Sequence, residues 1–406
     1  MRLVFIVTSF WACGELNIAE QFAEKCSKNN KCLFLIPPSH KNLINKKFKF
    51  VTWIPNSRTI NKIIINEIKS TFKPDLIILS DFLNFAFAEK HYGVIREDLE
   101  LFSCPLATFD IYDWDTRRKC MDTYGFPSNI PKNISINDYG SKIIPCPLGN
   151  PNINRQNEFR FALSRKISLL DANLKKELKS ELLGTNKTDQ NIILISNAKW
   201  QNQYLKHKDV KNFIDLANKY FESLILELSK NNLIIIIGDT PNFLSESPNI
   251  LIKNSMHKSC FDKYVSISDL YLGRNITSTS MVEIALSKIP CVNFVNSLQF
   301  LSLDTPHIFE NNIRMYKFMM FPVGWFDFLT PLFKNNPYYE LLTTCELFDI
   351  NSTLKNINDI LFNPNRKDDI TQKVDILQKQ LALLDDPNLI INNILSRTDT
   401  NYDFKY

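Results

Sequence analysis

Glycine is scarce in this chain, nine residues in 406. Neither G-x-x-x-x-G-K-[ST] nor G-x-G-x-x-G occurs, which excludes a P-loop and the ordinary dinucleotide fingerprint, because both need glycine where the backbone closes on a phosphate. G-x-S-x-G, the nucleophile elbow of α/β-hydrolases, is missing too. The five histidines form no H-E-x-x-H or H-x-x-E-H, and the nine cysteines are scattered without a C-x-x-C. Neither a zinc site nor a disulfide framework is expected, so no metal or other cofactor is anticipated, and reduced thiols in a cytoplasm are the simplest reading. No run of about 18 apolar residues suggests a membrane span. The 48 basic and 43 acidic residues are interspersed, so the net charge of +5 builds no basic stripe for nucleic acid, although mild attraction to anionic ligands or lipid surfaces stays open.

What is present is material for a large core. With 44% hydrophobic and 12% aromatic residues the chain is globular, and its length suggests two domains. The opening "MRLVFIVTSFWAC" reads as a first β-strand rather than a lipoprotein signal, since bulky Phe10 and Trp11 stand where a cleavage site needs small residues. Short β-branched runs then alternate with helical stretches: "LVFIVTS", "CLFLIP", "FKFVTWIP", "DLIILSD" and "PLATFDIYDW" as strands, followed by the loop "IIPCPLGNPNINRQ" and a charged helical stretch from about Glu158 to Leu183. A second series, "NIILISN", "NLIIIIGD", "NILIKN", "LYLG" and "CVNFV", begins near residue 190. Such alternation predicts right-handed crossovers and mainly parallel sheets covered on both faces. The expected fold class is α/β, with two doubly wound, Rossmann-like domains facing a cleft. Residues 1–155 form the first domain, 156–189 a linker with a helix, 190–330 the second domain, and 331–406 a helical tail packing across the junction.

Open α/β sheets bind ligands beyond the carboxyl ends of their strands, which directs attention to "YLGRNITSTSMVEIALSKIPCVNF", residues 271–294. Ser280 followed by Glu283 fits an S-x-x-E capping box, in which each side chain satisfies an orphan N–H of the first helical turn. A cap needs one hydroxyl, however, and Thr277, Ser278 and Thr279 precede it where unpaired helix N–H groups and the helix dipole favour an anion. A carboxylate one turn in can accept from a ribose hydroxyl.

This segment resembles the nucleotide-sugar site of GT-B glycosyltransferases, notably the peptidoglycan N-acetylglucosaminyltransferases acting on lipid I. The shared features are Asp269 opening the strand, Arg274 just after it, small or hydroxylated residues 277–280, then Glu283-Ile284-Ala285 and Pro290. The likeness spans about 25 residues and implies GT-B architecture, diphosphate and base contacts from Thr277 to Ser280, and ribose binding by Glu283. The glycine usual in that junction is missing, and the Arg-to-Glu spacing is one residue longer than the family pattern. Retaining members often carry Glu-x7-Glu, but the eighth residue before Glu283 is Asn275, so inversion is implied. The implied partners are a nucleotide-sugar, bound by the second domain, and an unidentified acceptor on the first; oligomeric state is left open.

Other candidates each carry a bland alternative. Lys199, Trp200 and Gln201 in "SNAKWQNQ" suit phosphate, ring stacking and hydroxyl contacts, or else a core Trp with solvated neighbours. Gly14 sits at the first strand-to-helix turn, where GT-B acceptor domains have a glycine-containing loop. Glu15 beside it is a general base or merely an acid favoured at a helix N-terminus. The acidic run "TFDIYDWDTRRKCMD" offers Asp110, Asp113 and Asp115 at a strand end, with Asp81 ending another strand; neighbouring acids can raise one another's pKa toward neutrality and so supply a base. Asp113-Trp114-Asp115 also spells D-x-D, the metal-holding pattern of GT-A glycosyltransferases, a rival that leaves the Glu283 junction without a role. The aromatic block "FMMFPVGWFDFL" fits interdomain core or a lipid-like acceptor. The expected activity is metal-independent glycosyl transfer, with Asp113, Asp110 or Glu15 as base. A nucleotide-sugar 2-epimerase on the same fold and a non-catalytic two-domain binding protein are the alternatives.

Overall fold

A computed structural model describes residues 1–111, 113, 135–153, 155, 158–168, 170–184, 189–197, 208–238, 247–295 and 332–402. The described residues divide into two compact units, the first holding those up to Ser164 together with those from Lys379, the second those of Arg165–Gln378.

In the first unit β1 (Arg2–Ile6), β2 (Lys31–Ile36), β3 (Lys49–Thr52), β4 (Leu76–Leu79), β5 (Leu106–Phe109), β6 (Ser141–Cys146) and β7 (Glu158–Ala162) form one sheet in the order β3-β2-β1-β4-β5-β6-β7. Every pairing is parallel. Leu3, Val4, Phe5 and Ile6 are essentially solvent-free because the central strand is covered on both faces, hence its unbroken apolar run. Phe5 stacks on Phe34, and Phe22 of α1 (Gly14–Cys26) meets Phe161 edge-on, both at 4.9 Å between ring centroids. The helices α2 (Arg58–Thr71) and α3 (Phe82–Tyr92) complete the first half.

In the second unit β8 (Ile192–Asn197), β9 (Leu233–Gly238), β10 (Ile250–Lys253), β11 (Leu270–Gly273), β12 (Cys291–Val295) and β13 (Thr343–Glu346) run in the order β10-β9-β8-β11-β12-β13, again with every pairing parallel. Its helices are α4 (Ala172–Leu183), α5 (Lys208–Leu228), α6 (Lys258–Ile267), α7 (Thr279–Leu286), α8 (Ile350–Phe362) and α9 (Pro364–Leu381). One of the few glycines is explained here. Gly238 ends β9 at φ 110°, and a Cβ there would lie 2.2 Å from the Asn197 carbonyl oxygen at the end of β8.

Several elements differ from the sequence reading. Residues 143–146, expected as the start of a loop, belong to β6. The charged stretch from Glu158 begins as β7, where Arg160 buries its guanidinium by pairing with Glu158 at 2.8 Å. Only its later part is helical, and α4 belongs to the second unit, with Lys175 on Asp269 at 2.7 Å. The tail divides as well. Its β13 extends the second sheet, whereas α10 (Pro387–Tyr402) lies on the first unit, with Asn30 Nδ2 donating to Asn388 Oδ1 at 2.9 Å and Arg397 4.8 Å from the Phe159 ring.

In both sheets the chain winds outward from a central strand in one direction and then reverses. The reversal falls between β1 and β4 in the first unit and between β8 and β11 in the second. The carboxyl ends of those strand pairs are where open α/β sheets place ligands.

Candidate functional site

At the second reversal the strand β11 ends in Gly273 and the chain enters α7 through Arg274–Ser278. The helix is capped by Ser278, whose Oγ accepts from Met281 N at 3.4 Å. The expected Ser280–Glu283 capping box is not formed: the helix begins two residues earlier, and Ser280 stands inside it, half-buried. Thr277 donates its N–H and its hydroxyl to Asn275 Oδ1 at 3.1 and 3.0 Å, which shapes the turn. Thr279 is buried in the first turn. Tyr271 OH hydrogen-bonds Ser196 Oγ, linking the ends of β8 and β11, and burial pushes that phenol up to about 12.

Arg274 is the unusual residue. It is 8% exposed, its Cζ lies 4.7 Å from the Phe221 ring centroid, and its Nη2 donates to Asn218 Oδ1 at 2.7 Å. No carboxylate pairs with it among the described residues, and its Nε is buried without a partner there. Burial lowers its pKa from 12.5 to about 10, still well into the charged range. A buried cation facing only an amide and a ring lacks the counter-charge that normally makes such burial tolerable.

Glu283 is engaged differently. It is 1% exposed, with Lys258 Nζ of α6 at 2.7 Å and Arg165 Nη1 at 3.8 Å. Ser287 Oγ donates to the Glu283 carbonyl oxygen at 2.7 Å and accepts from Ile167 N at 2.8 Å, so the segment entering the unit is tied to α7. A ribose hydroxyl reaching this carboxylate would compete with Lys258.

At the first reversal Glu15, in the first turn of α1, and Asp81, the N-cap of α3, leave adjacent strands. They are 4% and 3% exposed. Asn84 touches both: its Nδ2 donates to Glu15 Oε1, and its backbone N–H donates to Asp81 Oδ1 at 2.9 Å. Burial, then the charge of Asp81, raises the Glu15 pKa well above the carboxylate range; burial raises Asp81 to about 7 against the N–H groups of Asn84 and Leu83. Gly14 is the first residue of α1 and does not adopt the left-handed conformation.

The acids after β5 are less suited to proton transfer. Asp110 is 1% exposed at the strand end, its N–H continuing the ladder to Ile143 O at 2.9 Å. Asp113, buried with φ 52°, accepts from both terminal nitrogens of Arg155 at 2.7 and 3.2 Å, and Arg155 also reaches Glu158 at 3.3 Å. Both Asp113 oxygens are thus committed to a guanidinium. Trp114 and Asp115 of the D-x-D, Lys199, Trp200 and Gln201, and the aromatic block up to residue 331 lie outside the described residues. Among the described residues no group of three His, Cys, Asp or Glu could hold a metal ion, and no helix is long and apolar enough to cross a membrane.

The sequence reading missed Lys258, Arg165 and Asn84, which converge on its acids from distant segments. Asp81 was visible as an acid ending a strand and opening a helix, but nothing in the sequence paired it with Glu15.

Three solved structures similar to the chain cover nearly its whole length. A glycosyltransferase from Rickettsia africae ESF-5 superposes with TM-score 0.54 at 12% identity, covering 99% of this chain and 97% of its own. A protein assigned as a UDP-N-acetylglucosamine 2-epimerase from Listeria monocytogenes gives 0.51 at 11%, covering 100% and 97%. Sucrose-phosphate synthase from Thermosynechococcus elongatus gives 0.52 at 9%, covering 99% and 98%. These likenesses establish the GT-B fold class of two parallel-sheet, Rossmann-like domains. No curated protein sequence matches. The model of one family matches residues 19–399, nearly the entire chain, and the protein therefore belongs to that family of unknown function, DUF6365.

Proposed function

We propose that this protein is a nucleotide-sugar-dependent glycosyltransferase whose second unit binds the donor's diphosphate. The observation that carries this reading is Arg274: a buried guanidinium without a carboxylate among the described residues, four residues before the N-cap of α7, at the strand ends where this fold receives ligands. A diphosphate supplies the missing counter-charge, and the free N–H groups of the α7 first turn and the Ser280 hydroxyl are the remaining donors of the cradle. During transfer the same groups stabilise the charge that accumulates on the departing diphosphate, where fixed donors act most strongly. Trp200, Lys199 and Gln201 are assigned to the base and sugar. The first unit supplies the proton acceptor, and Glu15 is preferred to Asp113 and Asp110 because Arg155 occupies Asp113. Glu283, held by Lys258 and Arg165, is assigned to fixing α7 rather than to a ribose.

The test is a thermal-shift and calorimetric series with UDP, GDP, ADP, CDP and dTDP on the wild type and Arg274→Gln. One nucleoside diphosphate should stabilise the wild type, by about 2.7 kcal/mol at a hundred times its dissociation constant. Arg274→Gln should weaken it by about 1.5–3 kcal/mol, roughly ten- to a hundredfold. Equal affinities, or no stabilisation by any of the five, would overturn the reading. Supplying the matching nucleotide-sugar then separates transfer from 2-epimerisation, since only transfer leaves the sugar on an acceptor hydroxyl.

A further inference from the structure

The first unit contains a pair of acids that ordinary ion pairing does not explain. Glu15 and Asp81 stand at the carboxyl ends of β1 and β4, which pair Ile6 with Leu79. Asn84 fastens one oxygen of each, and no described lysine, arginine or histidine pairs with either carboxyl group. Two further polar atoms in this corner are sealed from solvent without a well-formed hydrogen bond among the described residues: Glu15 Oε2, with Ser9 alongside, and the hydroxyl of Tyr92, a phenol whose pKa is raised by burial and by the nearness of Glu15. Among the described residues, the neighbouring charge acting on Glu15 is that of Asp81. His40 Nε2 lies 3.1 Å from the Ala12 carbonyl oxygen, and burial lowers its pKa. An acceptor hydroxyl admitted to this corner would donate to Glu15 and accept from the Tyr92 hydroxyl.

Two carboxylates cannot both be ionised in such a place, because neither water nor a cation offsets their desolvation and mutual repulsion. The backbone decides which one ionises. Asp81 caps α3 and receives the backbone N–H groups of Asn84 and Leu83, whereas Glu15 caps no helix and its donors, Ser9 and Asn84, do not outweigh its burial and the charge of Asp81, so the charge belongs on Asp81 and the proton on Glu15. We propose that Glu15 and Asp81 share one proton and that this carboxylic acid–carboxylate pair, with Asp81 as the positioning residue, receives the proton of the acceptor hydroxyl. The proposal rests on the glycosyl-transfer reading given above. In the step, the acceptor O–H bond breaks as its oxygen bonds the anomeric carbon, and the bond from that carbon to the diphosphate breaks, its electron pair leaving with the nucleoside diphosphate. Glu15 takes the hydroxyl proton on one oxygen and passes its own proton to Asp81, so that the pair ends with two protons and returns one to solvent.

The test joins a measurement that needs no substrate to one that does. Infrared spectra of the full-length protein above pH 7, where Asp81 is ionised, should still show the carbonyl stretch of a protonated carboxylic acid, absent there in Glu15→Gln. In Asp81→Asn, which retains a good helix cap, Glu15 should lose its proton at lower pH because the neighbouring charge is gone. With the nucleotide-sugar whose diphosphate stabilises the protein, Glu15→Gln should lower turnover by about a hundredfold or more. Asp81→Asn should move the acidic limb of the pH–rate profile to higher pH, because Glu15, the weaker acid of the two, must then ionise in place of Asp81, whereas a merely structural role for Asp81 would lower the rate at every pH without moving the limb. Absence of the protonated-acid band in the wild type, or an unmoved profile in Asp81→Asn, would overturn the proposal. If the band behaves as expected but the wild type turns over no nucleotide-sugar, the shared proton stands while its catalytic use falls with the transfer reading.

Discussion

Replacing Glu283 by Gln keeps the size of the side chain and removes its charge, which distinguishes a helix-fixing carboxylate from a ligand-binding one. The carboxylate is 1% exposed with Lys258 at 2.7 Å, but the Lys258 side chain is 25% exposed and that of Arg165 18%, so both cations can hydrate once the charge is gone. At an effective dielectric constant near 20, charges at that separation attract by roughly 6 kcal/mol, much of it offset by desolvating the carboxylate. Breaking a fully buried pair costs about 3–5 kcal/mol and an exposed one about 0–1. With one end buried and the other partly wet, Glu283→Gln should cost about 2 kcal/mol, or roughly 4–8 °C in the melting of a unit of this size. Scanning calorimetry on Glu283→Gln, Lys258→Met and the double variant should give a coupling energy of about 1–2 kcal/mol. Calorimetric titration of Glu283→Gln with the stabilising nucleoside diphosphate should show affinity nearly unchanged. A stability change below about 0.5 kcal/mol would refute the ion-pair reasoning. A tenfold loss of affinity with unaltered melting would return Glu283 to the ribose.

Two further outcomes follow from the same geometry. Ser278→Ala removes the cap and should cost about 1 kcal/mol by calorimetry, whereas Ser280→Ala should be near neutral; the reverse order would restore the expected capping box. Stability should fall as pH rises through neutrality. Asp81 ionises near 3.8 when unfolded and near 7 when folded, so between those values the folded state binds more protons, and stability present below about pH 4 is lost as pH passes 7. The loss approaches roughly 4 kcal/mol for a shift of about three units. Asp81→Asn and Glu15→Gln should flatten that slope and melt higher than the wild type at neutral pH, as measured by urea unfolding at a series of pH values. A wild-type slope that persists in both variants would contradict the assignment.

Local pattern was enough to reveal two parallel-sheet domains and the polar junction before α7. A strand covered on both faces must be apolar throughout, and "LVFI", "IILI" and "LIIII" betray that covering whatever surrounds them. The nine glycines and the missing phosphate loops likewise ruled out whole classes of site, since a backbone that closes on a phosphate needs glycine at known positions. Where elements depend on partners distant in sequence, the pattern misled. Glu158 and Arg160 look solvated until each neutralises the other inside the sheet, which is why β7 read as a charged helix. "TTCE" became β13 only because the edge of β12 offered it a ladder. Among Thr277, Ser278, Thr279 and Ser280, any hydroxyl can cap a helix, and the choice of Ser278 follows from where β11 releases the chain. The same holds for chemistry. Asp113 and Glu15 are equivalent acids as letters, but Arg155 neutralises the first, whereas the second is buried beside Asp81 with no cation to match it among the described residues. Residue type determined which groups could ionise. Only the tertiary structure decided which of them are neutralised, because charges in a low-dielectric interior answer to whatever the fold brings within a few ångströms, however far apart in sequence.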